Sequence, residues 1–296
     1  MSLSKAINNE LEKCYELVEN KLNSYFIAKN ERYASLLESM RYSLLAGGKR
    51  IRAIICIKFC EAAGGKQEDA LNAACAIEML HAYTLIHDDL PCMDNSDIRR
   101  GKPSNHIKYG EFTATLAGDA LQAAAFETLL GSNLPPATIV QMGRIFSDAA
   151  GAHGVCGGQY LDLSGEEKKL SKQELSEIHS LKTSALFSAA ARIGVIAANG
   201  TPEQIKAAEK YTESIGLAFQ IRDDLLDITS TTEELGKPVG SDSINAKTTF
   251  ATLMGITECE KIIETETKKA IEAIKDKFDN PEFLIELAKM LAFREN

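Results

Sequence analysis

The chain has 296 residues, enough to bury roughly 75% of the surface its unfolded form exposes. It lacks Trp, is dominated by Ala, Leu, Ile, Glu and Lys, and carries a formal net charge of -9. That composition favours helices, and no nucleic acid is expected as a partner, since such binders show a basic face. Seven scattered cysteines without a Cys-x-x-Cys pair, a polar stretch from Met1 to Asn20 and no run of ~20 apolar residues fit reduced thiols in a cytoplasmic protein with no membrane insertion.

Helical periodicity runs through residues 3–28, 33–46, 50–64 and 68–90, with turns at Ala46-Gly47-Gly48 and Gly64-Gly65. Further helices are predicted over 111–131, 137–150, 172–198, 203–228, 248–278 and 282–293. Pro135-Pro136, Thr201-Pro202 and Asn280-Pro281 mark three of the starts, where proline suits a first helical turn. No stretch alternates like a set of strands, and neither a fixed-period repeat nor an interdomain linker appears. The expectation is one all-α domain over 1–296, with the polar stretch from Thr229 to Lys247 as a mobile flap.

Two aspartate clusters end otherwise apolar helical runs: Asp88-Asp89-Leu90-Pro91-Cys92-Met93-Asp94 and Asp223-Asp224-Leu225-Leu226-Asp227. Carboxylates seldom enter apolar surroundings without a cation or a metal. Asp223 and Asp227 lie four apart, on one helix face and about 6 Å apart along the axis. Asp88 and Asp94 lie six apart, which a straight helix would send to different faces; Pro91 breaks the helix and lets Asp94 swing back. A pair of such cages suits magnesium, which takes hard oxygen ligands and shares its shell with substrate phosphates.

Cations accompany both clusters. Arg99-Arg100 follow the first, and paired arginines grip phosphate oxygens bidentately. Lys49, Arg50 and Arg52 open a helix beside Gly47-Gly48, without the spacing of a nucleotide P-loop. His81 lies two turns before Asp88 on nearly the same face, where its N–H can donate to a phosphate, while His87 reads as structural. Lys182-Thr183 interrupt a run of small and apolar residues, so Lys182 either snorkels or faces an anion. Lys237 and Lys247, in or beside the flap, can close over a charged ligand.

These motifs, taken with Gly157-Gly158-Gln159-Tyr160-Leu161-Asp162 and Phe219-Gln220-Ile221-Arg222-Asp223, resemble the trans-isoprenyl diphosphate synthases, most closely bacterial farnesyl diphosphate synthases. The resemblance spans nearly the whole chain and implies antiparallel helices around a deep apolar cavity, usually in a homodimer. It implies three Mg2+ ions, with Mn2+ as a substitute, held by Asp88, Asp94 and Asp223, with Asp89 and Asp227 as further metal residues. It places Arg99, Lys182, Thr183, Gln220, Lys237 and Lys247 on the allylic diphosphate, and Lys49, Arg52, His81 and Arg100 on isopentenyl diphosphate. Ser96 departs from relatives that carry another acid there and should be peripheral.

The implied reaction is the condensation of isopentenyl diphosphate with dimethylallyl and geranyl diphosphate. Tyr83 lies five residues before Asp88, about 7.5 Å down the helix axis, and relatives with farnesyl products carry an aromatic there. With small Thr84 leaving the upper cavity open, the expected product is C15; a C20 or other chain length is the alternative. A terpene cyclase would lack the second diphosphate site, and a regulatory subunit would be expected to have broken acidic motifs.

Overall fold

The computed structural model describes residues 4–166, 168–229 and 248–294, and it is almost wholly helical. The first helices are α1 (Lys5–Asn23), α2 (Ala34–Leu44), α3 (Ile51–Ala62) and α4 (Gln67–Asp88). A two-residue ribbon follows, β1 (Ile98–Arg99) against β2 (Lys102–Pro103), antiparallel with Arg99 opposite Lys102. Then come α5 (Asn105–Tyr109), α6 (Glu111–Leu130), α7 (Pro136–Ala150), α8 (Val155–Gly165) and α9 (Lys172–His179). A π-helical turn (Ser180–Ser184) leads into α10 (Ala185–Ala197) and α11 (Pro202–Thr229). The last elements are α12 (Phe250–Met254), α13 (Ile256–Ile274) and α14 (Glu282–Ala292).

Local chemistry sets several boundaries. Pro136 and Pro202 each open a helix, where a missing N–H costs nothing. Ser171 caps α9 in a reciprocal box with Glu174, and Thr249 caps α12. α4 packs on α3, α6 and α10, which explains why its apolar residues occupy every side rather than one stripe. The approach of α10 to α3 requires Gly194, because a Cβ there would fall 2.1 Å from the Cys56 carbonyl oxygen.

The all-α expectation holds, with local departures that include the short, unpredicted helix α5. The run predicted over 172–198 is divided by the π turn, and the run over 248–278 breaks at Gly255, whose φ of 78° lies in the left-handed region. α8 escapes the periodicity because Gly157 and Gly158 weaken its helical signal. The ribbon at Ile98–Pro103 is too short to alternate visibly. Most of the expected flap, including Lys237 and Lys247, lies outside the described residues.

Candidate active site

Asp88 is the last residue of α4, and the chain then coils back on itself. The Asp89 N–H donates to Leu85 O at 3.2 Å, and the Asp94 N–H donates to Asp88 O at 2.8 Å. This is the reversal that Pro91 demands, and it sets Asp94 over the end of the helix. Burial pushes the Asp88 carboxyl up to about 6; Lys182 opposes that shift, and Asp94 adds to it. Asp89 is 2% exposed and serves Arg99: Nη2 donates to Oδ1 at 2.5 Å, and Nε reaches the two oxygens at 3.1 and 3.2 Å. Asp89, expected from sequence as a metal residue, anchors Arg99 in this ligand-free arrangement.

On α11 the three carboxylates take separate tasks. Asp223 pairs with Arg294, whose guanidinium lies 3.9 Å from the centre of the Phe219 ring and whose carbonyl accepts from Arg222 at 2.8 Å. Asp224 is buried and accepts from Gln220 Nε2 at 3.1 Å and from the Phe250 N–H at 2.8 Å, so it holds the start of α12. Asp227 is 2% exposed. Among the described residues, no three acidic, histidine or cysteine side chains already converge on a cation position. The Asp88 turn nevertheless fits a divalent cation, because burial first, and then the neighbouring Asp94 and Asp89 carboxylates, raise the Asp88 carboxyl, and added positive charge would return it to the ionised form.

Lys49, Arg52, His81 and Arg100 come together in a cavity of about 900 Å³, with Phe187 and Arg294 also in its wall. Arg52 stacks on Phe187 at 4.6 Å and donates to His81 Nε2 at 3.4 Å, while its Nε is buried without a partner. Burial first, then Arg52 and Arg100, hold the His81 imidazole well below its usual range. Neutral His81 accepts at Nε2, so its proton sits on Nδ1. Arg100 donates to Gly47 O, and its guanidinium lies against Gly48, whose φ of 114° favours glycine. Arg50 turns the other way, with Glu19 at 2.6 Å, Glu78 at 3.3 Å and Leu44 O at 2.7 Å.

A second cavity of about 180 Å³ is lined by Asp162, His179, Lys182, Thr183, Gln220 and Asp224. The π turn places Lys182 Nζ 2.6 Å from Asp162 Oδ2, and the Thr183 hydroxyl donates to Gln220 Oε1 at 3.4 Å. His179 has both ring nitrogens buried without a hydrogen-bond partner, and burial pushes it down to about 4 while Asp162 opposes. Sequence reasoning gave no role to Asp162, His179 or Arg294. Asp162 had a signal in the Gly157-Gly158-Gln159 motif; Arg294 had none. Tyr83 is buried, with its hydroxyl 3.3 Å from Cys156 Sγ, and Thr84 donates to His81 O at 2.9 Å. Ser96 donates to Ile98 O at 3.0 Å, within its own turn.

A cavity walled by Lys49, Arg52, Arg100 and Arg294, close to helix-borne acids, marks a protein that binds anionic ligands. Comparison with known proteins narrows the class. Residues 33–289 match the polyprenyl synthetase family model. Geranylgeranyl pyrophosphate synthase 3 (chloroplastic) of Arabidopsis thaliana is 46% identical over 267 residues, covering 88% of this chain and 74% of the relative. The geranylgeranyl pyrophosphate synthetase structure from Pyrococcus horikoshii superposes with a TM-score of 0.89 at 32% identity, covering 98% and 99% of the two chains. A geranyltransferase from Helicobacter pylori, complexed with magnesium and isoprenyl diphosphate, gives a TM-score of 0.85 at 32% identity, covering 98% of each chain. The chain belongs to the polyprenyl synthetase family and is a prenyltransferase.

Proposed function

We propose that the protein condenses isopentenyl diphosphate with successive allylic diphosphates and releases geranylgeranyl diphosphate. The observation carrying the condensation is the first cavity, walled by Lys49, Arg52 and Arg100, which lies apart from Lys182 and the Asp88 turn, so that two diphosphates would have separate cationic partners. Lys49, Arg52, His81 and Arg100 hold isopentenyl diphosphate. Arg99, Lys182, Thr183 and Gln220 hold the allylic diphosphate, joined by Lys237 and Lys247. Asp88, Asp94 and Asp223 would hold magnesium, three ions in all, with Asp227 supporting them. Bound magnesium supplies positive charge that stabilises diphosphate as it leaves.

Lys182 and Arg99 bear on the same leaving group, so the allylic C–O bond ionises. The double bond of isopentenyl diphosphate, positioned by the first cavity, attacks the cation. The departing diphosphate accepts the proton then lost. Phe187 and Phe219 line the first cavity and keep water from the cation.

The C20 product is supported by the relatives, which displace the C15 expectation from first place. One observation favours the C15 reading: Tyr83 reaches from α4 to Cys156 on α8, the direction a floor would take. We read the chain as one domain that forms a homodimer, since Phe112 and Leu116 expose 76% and 51% of their surface along α6. The unpaired cysteines fit a cytoplasmic setting, and no described helix is long and apolar enough to cross a membrane. Incubation with magnesium, isopentenyl and dimethylallyl diphosphates tests the proposal. A C20 product supports it, a C15 product supports the second reading, and no condensation by folded protein rejects both.

A further inference from the structure

We propose that Asn105 is a positioning residue for both substrates: through its buried amide, α2 holds the ribbon whose two arginines serve the two diphosphates. The ribbon is a two-residue hairpin, with Ile98 opposite Pro103 and Arg99 opposite Lys102. Its turn is Arg100-Gly101, with φ of 52° and 71°, the left-handed pair that so tight a hairpin requires. Arginine seldom adopts such a φ, and it persists only where the surroundings enforce it. At this turn the two guanidiniums part. Arg99 reaches Asp89 just beyond α4, and Arg100 reaches Gly47 O in the loop that leaves α2.

A ladder of two residue pairs cannot fix this geometry alone, since an isolated hairpin is marginal in water. The support comes from α2, where Ser39, Tyr42 and Ser43 are three and four residues apart and share one face. The Ser39 hydroxyl donates to Asn105 Oδ1 at 2.7 Å, and Asn105 Nδ2 donates to Ser39 O at 2.9 Å and to Ser43 Oγ at 2.8 Å. Asn105 and Ser39 are 2% and 0% exposed, so water cannot replace these bonds cheaply. The Tyr42 hydroxyl adds a second tie, donating to Pro103 O at 2.7 Å at the end of β2. The base of the hairpin is closed by the Ser104 N–H, which donates to Asp97 O at 2.8 Å. Only about 20 Å³ of space remains among Ser43, Asn105, Asp89 and Arg99. A shift of the anchor therefore passes to the arginines through close-packed atoms.

The inference rests on the proposed reaction, and the test separates the two. Initial-rate turnover of isopentenyl and dimethylallyl diphosphates by wild type decides the reaction; each variant is scored as a ratio to wild type. In Asn105→Ala the KM of each diphosphate should rise about three- to tenfold, the weight of one net hydrogen bond, with a smaller change in kcat. Arg100→Ala should raise the KM of isopentenyl diphosphate alone, so a parallel rise is the signature of a shared anchor. A merely structural asparagine would lower the folded fraction, reducing apparent kcat and the unfolding temperature while both KM values stayed in place. Ser39→Ala breaks one of the same bonds, so its effect should be less than additive with that of Asn105→Ala. Tyr42→Phe removes the second tie without disturbing the buried amide and should raise both KM values about two- to threefold. Unchanged KM values in folded Asn105→Ala, or a rise confined to one substrate, would overturn the proposal. If Asn105→Ala does not fold, Ser39→Ala and Tyr42→Phe carry the test, and unchanged KM values in both would overturn it.

Discussion

Lys182 Nζ stands 2.6 Å from Asp162 Oδ2, and the same ammonium pulls against the raised carboxyl of Asp88. One cation is thus shared between a residue on α8 and the acidic end of α4. The π turn makes this sharing possible, because its extra residue per turn rotates Lys182 and Thr183 relative to a regular helix. Asp162 keeps the lysine extended across the second cavity before any diphosphate arrives.

Lys182→Ala should therefore lower kcat/KM for the allylic substrate by about 10- to 100-fold, the loss of a charged hydrogen bond of ~1.5–3 kcal/mol. Asp162→Asn keeps the lysine but loosens it, so its loss should be smaller and of the same kind. Steady-state kinetics with each substrate varied in turn checks this. A larger loss in Asp162→Asn than in Lys182→Ala would give Asp162 a role of its own.

Asp88→Ala and Asp223→Ala should each abolish measurable condensation at saturating magnesium while circular dichroism stays helical. Removing charge stabilisation from a transition state costs several kcal/mol. Asp89→Asn should act differently, by releasing Arg99 from its double contact. Its defect should appear as weaker allylic binding, with the magnesium requirement unchanged in a titration of rate against metal.

The two cation groups should separate kinetically. Arg52→Ala or Arg100→Ala should raise the KM for isopentenyl diphosphate about tenfold or more, with little change in that of the allylic partner. The Arg52–Phe187 stack places this guanidinium in the first cavity. If Arg52→Ala weakened allylic binding alone, the assignment of the two cavities would have to be exchanged.

The acidic motifs and their cations were legible in sequence because four-residue spacing and a proline break translate directly into helix faces. Other features carry no such signature. Lys49, Arg50 and Arg52 read as three equal cations, yet Arg50 adopts a φ of 49° at the helix cap and turns inward to Glu19 and Glu78. The π turn is a change of hydrogen-bond register that no side-chain pattern announces, and glycines hide α8. Arg294 meets Asp223 only through the folding of α14 onto α11, a contact across 71 residues.

His179 makes the ligand-free protein pH-sensitive. Its folded-state value is depressed from 6.5 to about 4, so the unfolded chain binds more protons between those limits. The associated stability is complete above pH 6.5 and is lost as pH falls toward 4, by up to about 3 kcal/mol at 1.36 kcal/mol per unit. His81 is depressed as well and acts with the same sign, whereas the raised Asp88 carboxyl takes up its proton in the folded protein from about 6 downward and offsets part of the slope. Thermal unfolding between pH 7 and 5 should show a falling Tm, and His179→Phe, which keeps a ring against Phe250, should flatten the slope. An identical slope in the variant would show that the imidazole does not set it.

Arg50, in the wall of the first cavity with Glu78, offers a stability test read by unfolding rather than by activity. Its guanidinium is buried between Glu19 and Glu78, and Glu78 is itself 3% exposed and also accepts from the Ala53 N–H at 3.2 Å. Arg50→Ala would leave a buried carboxylate with too little positive charge, which typically costs 3–5 kcal/mol. Arg50→Met combined with Glu78→Leu removes both charges and keeps their volume, so it should recover most of that loss. Urea unfolding of the three proteins checks the comparison, with the midpoint of Arg50→Ala lowest. A midpoint for Arg50→Ala within about 1 kcal/mol of wild type would mean that Glu78 takes up a proton or a water in place of the arginine.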